Sequence, residues 1–73
     1  MDLRVRLGLR IQNFRRKKLM TQQGLAVAAG MTRPHISLIE AGKINVTIKK
    51  IEAICRALGI HPDQLFETVK LDL

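Results

Sequence analysis

Three threonines and three glycines divide the middle of this chain more firmly than anything else in it. Thr21 and Gly30, Thr32 and Gly42, and Thr47 and Gly59 bracket three segments whose apolar residues recur at helical spacing. A threonine hydroxyl at an N-cap accepts an N–H group that the first helical turn leaves unpaired. A glycine just past the last turn supplies the left-handed backbone that stops a helix. A chain so punctuated has room for short helices stacked on one another and for little else.

The segment after Thr21 turns Leu25, Ala26 and Ala29 inward, with Gly24 a weak spot in its first turn, about 1 kcal/mol worse than alanine. The stretch "TRPHISLIEAG" from Thr32 to Gly42 points Ile36 and Ile39 to one side, with Pro34 in the first turn, where proline fits best. The segment after Thr47 lines up Ile48, Ile51, Ile54, Cys55 and Leu58 as its buried stripe. Two more segments flank these three. The first, from about Asp2 to Lys18, repeats Leu7, Ile11 and Phe14 on one face and crowds Arg15, Arg16, Lys17 and Lys18 into its last turn, where cations suit the helix dipole. The last opens at His61, read as a cap, and Pro62, and presents Leu65 and Phe66. The tail "ETVKLDL" alternates Val69, Leu71 and Leu73 and is too short to form a core of its own. The expectation is an all-α fold of five helices in a single domain, 1–73, with no linker or repeat.

Composition narrows this further. The chain has 73 residues, 47% of them hydrophobic, yet only two Phe and neither Tyr nor Trp, so the core must be aliphatic. Cys55 is the single cysteine; an internal disulfide is excluded, and a reducing cytoplasm is the compartment that fits. No apolar run approaches the roughly 20 residues that cross a bilayer, and no h-region follows the basic N-terminus, so neither a membrane nor export is expected. His35, His61 and Cys55 lack metal-ligand spacing. With no nucleophile–base set, no carboxylate pair and no glycine-rich phosphate loop, the chain reads as a non-enzyme without cofactor or small-molecule ligand.

Charge is more telling. The net charge is +7, and residues 1–50 hold eleven basic and two acidic side chains, against two basic and four acidic in residues 51–73. One end is electropositive and the other is not, which suits a polyanion on one side and a different partner on the other. Solubility alone is the competing explanation.

Between Gly30 and Thr32 only Met31 intervenes, so the second and third helices form a helix-turn-helix candidate. Opposite Ile36 and Ile39, the third helix carries Arg33, Pro34, Ser37 and Leu38, with no acid among them. Such a face can enter a major groove: Arg33 can bond O6 and N7 of a guanine, and Ser37 a base or a phosphate. Pro34 and Leu38 offer only apolar contact to a thymine methyl, and each would be equally ordinary as an exposed helix residue. His35, at the edge of the core stripe, serves packing or a phosphate. The 15–18 run is either a solvated helix end or a phosphate-contacting flank. Ile60, Leu65, Val69, Leu71 and Leu73 exceed what one small core can cover; a two-fold interface would bury them, unless the terminus is simply frayed.

From Leu7 to Phe66 the chain resembles the Cro/phage-repressor (Xre-type) helix-turn-helix family. The resemblance rests on "TQ" at Thr21–Gln22, "LA" at Leu25–Ala26, "AGM" at Ala29–Met31, the Ile36–Gly42 pattern, and "ALGI" through "LF" near the end. It implies a lambda-repressor-like five-helix domain, usually a homodimer, that binds double-stranded DNA at a near-palindromic operator and regulates transcription. It implies helix two over about 21–29, a recognition helix over about 32–41 and a dimerisation region over about 60–73. Arg33, Pro34, Ser37 and Leu38 then stand at base-reading positions, Gln22 touches the DNA backbone or a base edge, and Thr32 is a phosphate contact. It further implies that Arg15 pairs with Glu40, making Glu40 structural. "GKINVTIKKIE", Gly42–Glu52, lacks the proline common before helix four and is similar to controller proteins of restriction–modification systems, which makes Lys43, Asn45 and Thr47 phosphate contacts. Gly24, Val27, Ala28 and Leu38 depart from the usual pattern of charged or polar residues. Within the family a generic or phage-type repressor stands beside the controller reading, and two other classes remain: an antitoxin whose C-terminal apolar surface holds a protein, and a basic amphipathic binder of membrane or RNA built on the first helix.

Overall fold

The computed structural model describes residues 2–66. Five helices follow one another: α1 (Leu3–Lys17), α2 (Gln22–Ala29), α3 (Arg33–Glu40), α4 (Ile48–Leu58) and α5 (Pro62–Phe66). No strand occurs among the described residues. The tail carrying Val69, Leu71 and Leu73, and with it half of the 60–73 region assigned to dimerisation, lies outside them.

Each threonine caps as its position requires. The Oγ1 atoms of Thr21, Thr32 and Thr47 accept the N–H groups of Gly24, His35 and Lys50 at 2.9, 3.3 and 3.2 Å. Gly24 therefore keeps half of a capping box although it cannot return a side chain. In α1 the Asp2 carboxylate takes this role, accepting the Arg4 N–H at 2.7 Å. At α5 the direction reverses: the His61 N–H donates to the Gln64 side chain at 2.9 Å, so His61 sits at the cap without its imidazole acting as one.

The stops are equally uniform. Beyond Gly30, Gly42 and Gly59, the N–H groups of Met31, Lys43 and Ile60 reach back to the carbonyls of Ala26, Leu38 and Cys55 at 2.8, 3.1 and 3.0 Å. This is the six-to-one closure that a left-handed residue permits. The end of α1 closes in the same way, Met20 N–H to Arg15 carbonyl at 3.1 Å, but its left-handed residue is Leu19, with φ 58°. A side chain there costs about 1–2 kcal/mol, and Leu19 is 92% exposed, so packing returns nothing. Leu19→Gly is expected to stabilise the domain by about 0.5–1 kcal/mol after the added flexibility of the unfolded chain is set against the relieved strain. A thermal melt checks it: Tm should rise by about 3–6 °C.

The core is aliphatic. Ile11, Leu25, Ile36, Ile39, Ile54, Leu58 and Leu65 are buried, with Leu7, Ala26 and Cys55 completing the cluster. Helix α2 packs on α3 and α4, α1 on α3 and α5, and α4 also on α5. Full burial of each such side chain contributes roughly 1.5–3 kcal/mol, which is what sustains helices too short to persist alone. Helices α1 and α3 approach closely where α1 has no side chain: a Cβ on Gly8 would strike the Ile39 carbonyl oxygen and lie 2.6 Å from that of Glu40.

Two sequence assignments change. Ile48 is 76% exposed and does not belong to the buried stripe of α4; it occupies the helix's first residue, at the edge of the arc centred on Ile51, Ile54 and Leu58. Leu65, assigned to a dimer interface, is 2% exposed within the single chain. It faces inward from α5 and is core, so it leaves no surface to offer a partner. Ile60, from the same assignment, is half-buried against that core, and Phe66 is 44% exposed.

Candidate nucleic-acid interface

The outer face of α3 is open. Arg33, Pro34, Ser37 and Leu38 are all exposed, while Ile36 and Ile39 on the opposite side are fully covered. Both ends of the helix are fixed, by the Thr32 cap and by the Gly42 closure. The face is therefore presented on a rigid element. Thr32 is exposed and His35 half-buried; the Thr32 hydroxyl accepts the His35 N–H yet keeps its own proton to donate. Lys43 and Asn45 are exposed in the loop that follows, and Thr47 is exposed at the start of α4. There the N–H groups of Ile48 and Lys49 precede the first intrahelical bond and can receive an anionic oxygen. The exposed Ile48 stands beside these groups, a placement the stripe pattern hid.

What holds α3 against the rest of the domain is a buried cluster around its last residue. The Glu40 carboxylate accepts Arg15 Nε at Oε2 (2.6 Å) and Arg15 Nη2 at Oε1 (3.0 Å), a bidentate fork. The two side chains are only 10% and 2% exposed. Oε1 also receives the Gln22 amide at 3.1 Å and lies 3.5 Å from that of Gln12. Arg15 Nη1 donates to the Met20 carbonyl at 2.8 Å. The Arg15–Glu40 pair thus joins α1, the α1–α2 turn, the first residue of α2 and the end of α3. The hydrogen bonds to Glu40 hold the Arg15 pKa above its already high ordinary value, with burial opposing them, so the guanidinium stays charged wherever the domain is folded.

The cluster draws in two residues with unlike assignments. Gln22, expected to touch the DNA backbone or a base edge, spends one amide hydrogen on Glu40 and retains the other. Gln12 had no assignment at all; its spacing of three from Arg15 on one helix face was the available signal. Arg16, Lys17 and Lys18 remain exposed, with Lys17 Nζ 5.7 Å from the Phe14 ring centre. Cys55 is buried, and burial pushes its thiol pKa up, leaving it an apolar filler.

Known proteins share this fold. A helix-turn-helix family model matches residues 11–65. The control protein C.MunI of a Mycoplasma species is 31% identical over 70 residues, spanning 94% of this chain and 95% of that protein. The control protein C.BamHI of Bacillus amyloliquefaciens is 36% identical over 67 residues, 90% of this chain and 83% of its own. Among solved structures, the restriction–modification controller protein C.AhdI from Aeromonas hydrophila superposes with a TM-score of 0.85 at 33% identity, covering 86% of this chain and 96% of that one. The matched span runs from the middle of α1 into α5 and contains every helix that builds the exposed α3 face: the chain belongs to the Xre-type helix-turn-helix family of transcription regulators.

Proposed function

We propose that this chain regulates transcription as a homodimer in the cytoplasm, binding an inverted-repeat operator as a controller protein of a restriction–modification system does. The observation that carries the reading is the rigid, exposed, acid-free face of α3. Arg33 and Ser37 read base edges there, and Pro34 and Leu38 pack against thymine methyls. Gln22, Thr32, His35, Lys43, Asn45 and Thr47 hold phosphates on either side, which makes the affinity steeply salt-dependent. Dimerisation through the surface around Ile60 and the tail bearing Val69 and Leu71 sets two such faces about 34 Å apart, one turn of duplex. The relatives named as control proteins support the controller assignment through similarity over nearly the whole chain.

Selection of bound duplexes from a random pool at near-physiological salt tests this. An inverted repeat with half-sites one turn apart is the expected result; retention of all duplexes without a consensus would leave only a basic surface. Within the selected site, Arg33→Ala is expected to relax the preference at one base pair and to cost about 1–3 kcal/mol of binding. An unchanged site preference in that variant removes Arg33 from the reading set.

A further inference from the structure

Four consecutive cations, Arg15 to Lys18, close α1, and the structure sends each in a different direction. Arg15 turns inward to Glu40. Lys17 lies 5.7 Å from the Phe14 ring centre, on the side where Arg10 also leans on that ring and donates to the Leu65 carbonyl of α5. Lys18 carries its ammonium to the far end of α4, 3.8 Å from where a Cβ on Gly59 would stand, and a cation suits a helix C-terminus. Arg16 takes the remaining side. Gly8, Gln12 and Arg16 follow one another at intervals of four and so form one row along α1. The first two mark what that row faces. Gly8 abuts the last carbonyls of α3, and the Gln12 amide lies 3.5 Å from the Glu40 oxygen that also receives Gln22. Arg16 therefore continues the row past the end of α3 toward the first turn of α2. It is exposed, that first turn carries no acid, and among the described residues no carboxylate lies within ion-pair distance of it.

We infer that Arg16, alone among the cations of this run, binds a DNA phosphate, on the same flank as Gln22, while Lys17 and Lys18 stay off the duplex. The inference rests on the docking of α3 proposed above. A guanidinium offers paired donors that match phosphate oxygens, and with no carboxylate already bound to it, Arg16 gives up only water in making the contact. Lys17 stands on the α5 side of α1, away from α3. The end of α4 beside Lys18 is eleven residues, about 16 Å, from the end at Thr47 where a phosphate is proposed.

The test uses the duplex selected for the wild-type chain and follows binding over a range of salt concentrations. Arg16→Gln, Lys17→Gln and Lys18→Gln each remove one exposed charge, and circular dichroism should show all three as helical as the wild type. Arg16→Gln is expected to weaken binding about fivefold per protomer at physiological salt and to flatten the salt slope by about one per protomer, with the selected consensus unchanged. Arg16→Lys, which keeps the charge, should restore the slope. Both lysine variants should match the wild type. Duplexes carrying a single methylphosphonate, which neutralises one phosphate, then locate the contact: one position should weaken the wild type and leave Arg16→Gln indifferent. Equal losses in all three glutamine variants, or no position that separates Arg16→Gln from the wild type, overturn the inference and leave a diffuse field in its place. An effect of Arg33→Ala without one of Arg16→Gln overturns the inference alone. If Arg33→Ala and Gln22→Ala also leave binding unchanged, or the pool yields no consensus, the docking of α3 fails and the inference with it.

Discussion

Glu40→Gln should cost the domain about 3–5 kcal/mol, the penalty for leaving one member of a buried ion pair without its partner. A domain of this length has only about 4–11 kcal/mol to lose, so the variant should melt lower by about 15–30 °C or fail to fold at room temperature. The geometry gives the reason. Glu40 receives two hydrogen bonds from Arg15 and one from Gln22, and an amide would turn donors toward donors. Replacing both charges, Arg15→Met with Glu40→Leu, should recover most of the loss, because the desolvation of two ions disappears with their attraction. The double-mutant cycle is read from urea unfolding midpoints. A pair that merely decorated the surface would show a coupling below about 1 kcal/mol, and that result would remove Glu40 from the centre of the fold.

Gly8→Ala is the second large effect. Alanine normally improves a helix interior by about 1 kcal/mol, so an increase in stability is the naive expectation. Here the added methyl meets the carbonyl of Ile39 and lies 2.6 Å from the oxygen and 2.9 Å from the carbon of the Glu40 carbonyl. These are backbone atoms at the end of α3 and cannot rotate away. Helix α1 must retreat, and the retreat also pulls Arg15 from Glu40. Overpacking of this kind costs about 1–3 kcal/mol, and contact with two backbone carbonyls puts Gly8→Ala at the upper end, so after the gain of about 1 kcal/mol the net result should be a loss of up to about 2 kcal/mol, visible as a lower urea midpoint. The contrast with Leu19→Gly is informative: one position gains from glycine through its backbone angle, the other needs it for space.

Both effects arise where sequence reasoning was weakest. The Thr and Gly punctuation was legible because caps and stops involve residues at most five or six apart, so their chemistry is written locally. The acid-free face of α3 was legible for the same reason, through spacing within one helix. The Arg15–Glu40 pair spans 25 positions, and only the family resemblance suggested it; nothing in the spacing could. Gly8 and Arg10 act through contacts that exist only once α1 has met α3 and α5, and neither carries a local signature. Ile48 and Leu65 were misassigned because a helical stripe says which side is apolar, not how far along a neighbouring helix covers it. The interface role proposed for Val69 and Leu71 concerns a second copy of the chain, and the periodicity of one chain contains no record of such a copy.

The separation of the α3 face from the Glu40 cluster has a consequence for how such proteins diversify. Arg33, Pro34, Ser37 and Leu38 contribute no side chain to the buried core or to the carboxylate cluster. Substitutions at exposed positions of this kind usually change stability by no more than about 0.5 kcal/mol. If these four positions read the target, as proposed, a lineage carrying this scaffold can exchange one site for another by drifting through folded intermediates, while residues 8, 15 and 40 stay fixed. New addresses in the genome would then become accessible in single steps, without the fold having to be rebuilt.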